Sequence, residues 1–181
     1  MSRNVGRVAL CGVLAGFSVV IMLLTYIAPF MTYALPMAAG ALLLVPSIEY
    51  GTPTALTMYA SVSALSAIIA GDKEAAAFYI ILFGIYPILK KYFERIKITA
   101  LEYITKFIYF NAVVIAFYYA AVYLLSMPFE DSDLLGKYAP LIVLAVGNFA
   151  FIIYDICLTR CATLYVMKIQ PRITKIFNIN K

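Results

Sequence analysis

Four residues in a row, Gly71-Asp72-Lys73-Glu74, stand directly ahead of an alanine and aromatic stretch, Ala75, Ala76, Ala77, Phe78 and Tyr79. An aspartate before such a run suits a helix N-cap, and a glutamate suits the positive end of the helix dipole, so both acids have a structural reading. Lys73 has none. An ammonium at a helix mouth can meet an anionic group of a ligand. A second set of polar residues, Asn111, Asn148 and Asp155, lies inside long apolar stretches. Asn148 and Asp155 are seven residues apart and therefore share a helix face. An ionisable group in such a stretch is by default a functional hypothesis. Asn111 and Asp155 lie at similar depth, which predicts a polar clamp between them and leaves Asn148, near the middle of its stretch, for contact with a ligand. The third set is aromatic. Tyr26, Tyr33, Tyr79, Tyr118, Tyr119 and Tyr123 all fall toward the outer ends of apolar stretches, where tyrosines form interfacial belts. Of these, Tyr33, Tyr79 and Tyr123 are the candidates to line an outward cavity for a flat or heterocyclic ligand.

What is missing excludes other chemistry. The chain has no histidine, which removes the commonest metal ligand and general base. Zinc proteases and Ser-His hydrolases therefore lack their working groups. The three cysteines, Cys11, Cys157 and Cys161, all lie in apolar stretches and read as small packing residues, so neither a metal nor a disulfide framework is expected. Neither a phosphate-binding nor a dinucleotide glycine motif is present. The expectation is a protein without a cofactor and without independent enzymatic activity.

The elements that must position these residues follow from composition. Of 181 residues, 65% are hydrophobic and only 13% charged, against about 25% charged in a soluble domain. Lipid satisfies no backbone N–H or C=O group, and apolar runs without alternation select helices over a barrel. The sequence predicts an all-α polytopic membrane protein, a single domain over residues 1–181 with six spans: Val8 to Ala28, Ala34 to Ile48, Thr54 to Ala70, Ala75 to Leu89, Phe107 to Met127 and Tyr138 to Met167. Prolines 29, 36, 46, 53, 128 and 140 punctuate the turns. The second and fourth spans fall short of the roughly 20 residues that cross the hydrocarbon core.

Threaded this way, twelve of the fourteen lysines and arginines fall on one side, and only Lys73 and Lys137 fall on the other. Cytoplasmic loops retain Lys and Arg, so both termini are expected in the cytoplasm, and the net charge of +5 reflects topology, with no nucleic acid implied. The connection from Lys90 to Lys106 mixes charges with apolar residues, as a helix lying on the phospholipid surface does. Ser126 to Lys137 forms an acidic outer loop without the order of a calcium site. On the first span, Gly12 and Gly16 make a GxxxG motif that Cys11 and Ala15 extend, a smooth face for another helix of this chain or of a partner.

Small size, six spans, inside termini, a small-residue face on the first helix and a basic cytoplasmic connection together resemble the substrate-binding S components of energy-coupling factor vitamin transporters. That family typically has alanines four apart on helix one, where this chain has Gly12 with Gly16 and Cys11 with Ala15. The stretch Asp72-Lys73-Glu74-Ala75-Ala76 followed by Tyr86-Pro87-Ile88-Leu89-Lys90 also looks like a group of uncharacterised bacterial membrane proteins. The resemblance implies a bacterial plasma-membrane subunit that binds a small vitamin- or nutrient-like molecule from outside and leaves energy supply to a scaffold subunit and ATPase subunits. Cys11, Gly12, Ala15 and Gly16 would then meet the scaffold, and Lys73, Tyr33, Tyr79, Tyr123 and Asn148 the ligand. The alternatives are a structural or regulatory membrane subunit without a ligand, and a stand-alone secondary transporter.

Overall fold

The computed structural model describes residues 3–123 and 139–171, with side chains described between residues 5 and 117 and from 144 onward. The predicted outer loop with Lys137, the side chains of Tyr118, Tyr119 and Tyr123, and the basic C-terminal end lie outside the described residues. Among the described residues every regular element is helical. Helix α1 runs over Arg3–Leu24, α2 over Ala34–Ala41, α3 over Leu44–Glu49, α4 over Thr52–Ile69, α5 over Lys73–Phe78, α6 over Tyr86–Phe93, α7 over Thr99–Tyr123 and α8 over Ala139–Leu164.

Among the described residues, five helical stretches are long and apolar enough to cross a membrane: Val5–Leu24, Thr52–Ile69, Lys73–Phe93, Thr99–Phe117 and Leu144–Ile169. Ala34–Glu49 is shorter and is broken between α2 and α3. Pro46 explains the break, since it has no N–H to offer Leu42 and its ring crowds that carbonyl. The chain tightens there instead, with Leu43 N–H on the Gly40 carbonyl at 3.0 Å. Gly51 then turns the chain into α4 with φ +85°, a left-handed conformation that costs glycine nothing, and Pro53 sits in the first turn of α4.

The fourth stretch is longer than its expected Ala75 to Leu89 because a π turn, Tyr79–Phe83, carries it past a proline. Pro87 cannot donate to the Phe83 carbonyl, so the helix widens first, with Gly84 N–H reaching back five residues to the Tyr79 carbonyl at 2.7 Å, and restarts at Tyr86. Tyr59 of α4 donates its hydroxyl to the Ile80 carbonyl at 2.6 Å, satisfying a group that the widened turn releases.

The predicted surface helix between Lys90 and Lys106 is replaced by a short connection over residues 94–98. Lys90 and Lys91 belong to the last turn of α6, where they favour the negative end of its dipole. Lys106 lies two turns inside α7. Its ion pairs with Glu102 and Asp155 give the ammonium partners at that depth in the helix.

Contacts divide the chain into two compact units, residues 1–91 with 157–181, and residues 92–156. In the first, α1 packs on α2 and α4, and α2 on the π turn. Its core joins Met22, Ala39, Leu43, Met58, Val62, Ala70, Ala75, Ala76 and Tyr79. Ser18 brings α1 close to α2, its hydroxyl donating to the Ala39 carbonyl at 3.3 Å. In the second unit α7 meets the first part of α8 through the polar groups described next.

Candidate functional site

The α7–α8 contact is built in three layers. At the first, Lys106 Nζ lies 2.7 Å from Glu102 Oε1, one turn back on α7, and 2.9 Å from Asp155 Oδ2 on α8. Lys106 and Asp155 are 3% and 7% exposed, so this is an ion cluster withdrawn from solvent. Removing one member of such a cluster would leave a buried charge without its partner, a change that typically costs several kcal/mol. The Tyr103 ring lies 5.5 Å below the ammonium and adds a cation–π contact.

One turn further along α7, Phe110 stacks on Phe151 with ring centroids 4.6 Å apart. Gly147 makes room for that pair, because a Cβ there would stand 3.3 Å from the tip of the Phe110 ring. The third layer is an amide pair. Asn111 Nδ2 donates to Asn148 Oδ1 at 3.1 Å, and Asn148 Nδ2 donates to Asn111 Oδ1 at 3.0 Å. Each amide spends its remaining N–H on its own helix, Asn111 on the Phe107 carbonyl and Asn148 on the Leu144 carbonyl, both at 2.8 Å. As residue number rises along α7 the partner's number falls along α8, so the two helices run antiparallel. Beside the ion layer lies a cavity of ≈ 10 Å³ lined by Tyr103, Lys106, Phe107, Phe151, Ile152, Asp155 and Ile156. That is room for about one water molecule.

The expected clamp between α7 and α8 therefore exists with its partners exchanged. Asn111 takes Asn148 and Asp155 takes Lys106, so Asn148 holds a helix where the sequence offered it to a ligand. Helix geometry accounts for the exchange: the antiparallel register sets Asn111 opposite Asn148 and leaves Asp155 two turns away, opposite Lys106. Sequence reasoning missed Lys106 and Glu102, although their i, i+4 spacing at the head of an apolar helix was a readable sign.

Of the remaining predicted ligand residues, Lys73, Tyr33 and Tyr79 fall in the first unit, and the side chain of Tyr123 lies outside the described residues. Asp72 is the N-cap of α5, accepting from Ala75 N–H at 3.0 Å, and its other oxygen accepts from the Thr32 hydroxyl at 2.9 Å. The Tyr33 hydroxyl donates to Glu74 at 2.8 Å, and the Tyr33 ring meets Phe78 edge to face at 5.0 Å. Burial first, and the hydrogen bond to Glu74 second, push the Tyr33 phenol up to about 12. Lys73 Nζ donates to the Ala67 carbonyl at 3.1 Å, across the same turn. Tyr33 and Lys73 are thus gathered at one end of this unit. Tyr79 lies in its core, wholly buried and stacked on Tyr59 at 6.3 Å, with its hydroxyl unpartnered among the described residues. Elsewhere in the unit, the Tyr165 hydroxyl donates to Glu49 at 2.9 Å, tying the π turn Tyr165–Ile169 that follows α8 to α3. Gly12 and Gly16 face open space: a Cβ added at either would meet nothing within 4 Å among the described residues. Cys11 and Ala15 beside them are half-buried.

Among the described residues no cluster of three or more His, Cys, Asp or Glu could hold a metal ion. Comparison with known proteins finds no matching family model, no matching curated protein and no matching solved structure.

Proposed function

We propose that this chain is the substrate-binding membrane subunit of a small-molecule uptake system, energised by separate ATPase subunits through a membrane scaffold subunit. In this reading it sits in a bacterial plasma membrane, Ala34–Glu49 completes a sixth crossing, and both termini face the cytoplasm, in keeping with the bias of lysine and arginine. The observation that carries the reading is the open Gly12–Gly16 face of α1. Small residues on a membrane helix permit close approach of another helix, and among the described residues none occupies that face. The Tyr33, Lys73 and Glu74 groups gathered around the Gly71 turn are the ones this reading assigns to a ligand on the outer side, whereas Tyr79, buried in the core, is not among them.

A native-state mass measurement on the gently solubilised protein tests the proposal. Masses of the chain together with scaffold and ATPase subunits, and of a retained small molecule, are expected. A chain that runs alone, and that no vitamin or nucleobase precursor stabilises against heat, would overturn it, because a ligand well above its dissociation constant adds about 3 kcal/mol or more. The Glu102–Lys106–Asp155 cluster favours a second reading, a stand-alone secondary transporter, since buried ionisable groups in membrane helices mark ion pathways. Substrate uptake by liposomes containing this chain alone separates the two.

A further inference from the structure

We propose that Arg95 and Lys97, in the connection between α6 and α7, bind the phosphate of an anionic phospholipid headgroup and give this end of the helix pair a preferred lipid. The site depends on the helices crossing a membrane and not on the uptake reading. Three observations carry it.

First, Arg95 and Lys97 are exposed cations, and among the described residues neither takes part in an ion pair, whereas Lys106 further along holds two carboxylates. The Arg95 guanidinium lies over the Tyr92 ring, 5.4 Å from its centroid. A cation–π contact engages the face of a guanidinium and leaves the N–H donors at its edge, a fork that suits a phosphate. In the run 90–97, Glu94 is the one acid against Lys90, Lys91, Arg95 and Lys97, so four positive charges less one leave +3.

Second, the connection is too short to leave the headgroup layer. Residues 94–98 join two helical stretches, Lys73–Phe93 and Thr99–Phe117, that are each long and apolar enough to cross a membrane. Five residues span about 17 Å when fully extended, so a loop that goes out and returns reaches about 8 Å. A headgroup layer is itself roughly 5–8 Å deep.

Third, apolar surface runs right up to the connection. Ile108, Ile104 and Leu101 of α7, and Ile98 just before it, are all exposed, and their spacing sets them on one face. Acyl chains cover such a stripe, so the headgroups that belong to them stand at its end, beside Lys97. A zwitterionic headgroup carries its own cation next to the phosphate. An anionic one does not, and each protein cation near it confers about a fivefold preference.

The chain has no tryptophan, so Ile104→Trp places a single fluorescent reporter on the exposed stripe. The whole protein is reconstituted into phosphatidylcholine bilayers containing a small fraction of acyl-brominated phosphatidylglycerol or of acyl-brominated phosphatidylcholine. Quenching is expected to favour the anionic lipid by a binding ratio of about 25, from two cations. That ratio should fall about fivefold in Arg95→Gln or Lys97→Gln, approach one in the double variant and hold in Arg95→Lys. Quenching by the zwitterionic lipid should stay the same throughout, which shows that each variant is folded and inserted. Equal quenching by the two lipids, or a ratio that survives the double variant, overturns the proposal. So does loss of the ratio on adding inorganic phosphate at constant ionic strength, which would make this a site for free phosphate. A reporter that neither lipid quenches would put a protein partner on the stripe, and that too overturns it.

Discussion

Asn111 and Asn148 each give the other one hydrogen bond and keep one for their own helix, so that all four amide N–H groups are spent. The pair is self-contained, and it can be dismantled in halves. Asn111→Leu alone should strand the Asn148 amide, and Asn148→Leu alone the Asn111 amide, each at about 1–3 kcal/mol. The double variant should lose less than the sum of the two. Unfolding in mild detergent for the four members of the cycle measures the difference, expected between roughly 0.6 and 1.7 kcal/mol.

Gly84 sits where the Tyr59 ring and the Tyr79 carbonyl converge, so a Cβ there would stand 2.9 Å and 2.8 Å from them. The carbonyl is backbone and cannot swing away. Gly84→Ala should therefore destabilise the protein by about 1–3 kcal/mol, as overpacking does. Gly12→Ala meets open space and should be neutral or stabilising by up to about 1 kcal/mol through helix propensity. Equal thermal shifts for the two variants would contradict the packing around the π turn.

Gly12→Leu combined with Gly16→Leu should leave the melting temperature of the isolated chain nearly unchanged, because a Cβ at either position meets nothing within 4 Å among the described residues. On the proposed function, the same double variant should fail to copurify with scaffold and ATPase subunits. Recovery of those partners with the variant would remove the α1 face from the interface.

The Tyr33 phenol is raised from 10.0 to about 12 in the folded protein, by burial and then by its hydrogen bond to Glu74. A raised phenol means the fold prefers the neutral form. Its contribution to stability is complete below pH 10 and is lost as the pH climbs from 10 through 12. Tyr33 is half exposed, so the effect on stability is small, but it is visible spectroscopically. In an alkaline absorbance titration, Tyr33→Phe should remove one late-ionising tyrosine, and Glu74→Gln should bring that step to lower pH.

The helical, apolar character of the chain was legible because it depends on composition and run length, which neighbours do not alter. Helix α4 over Thr52–Ile69 agrees with the expected Thr54 to Ala70 almost residue for residue, since glycine and proline mark its start and Gly71 follows its end. Asp72 as the cap of α5 was equally readable, a local device needing only the next three residues. The expected surface helix over Lys90 to Lys106 failed for a reason that sequence windows do not contain. Lys106 looks like a loop charge until a carboxylate from residue 155 arrives beside it.

The sequence by itself determined that the chain is helical, where α4 begins and ends and which small residues line α1, because these follow from local periodicity and hydropathy. Tertiary structure alone decided the pairings: Asn111 with Asn148, Lys106 with Asp155, and Tyr59 with the carbonyl of Ile80. Partner choice depends on the register of antiparallel helices and on a π turn that shifts one face relative to the next. An offset of a single turn moves every contact by about 5.4 Å, which is enough to exchange one hydrogen-bond partner for another.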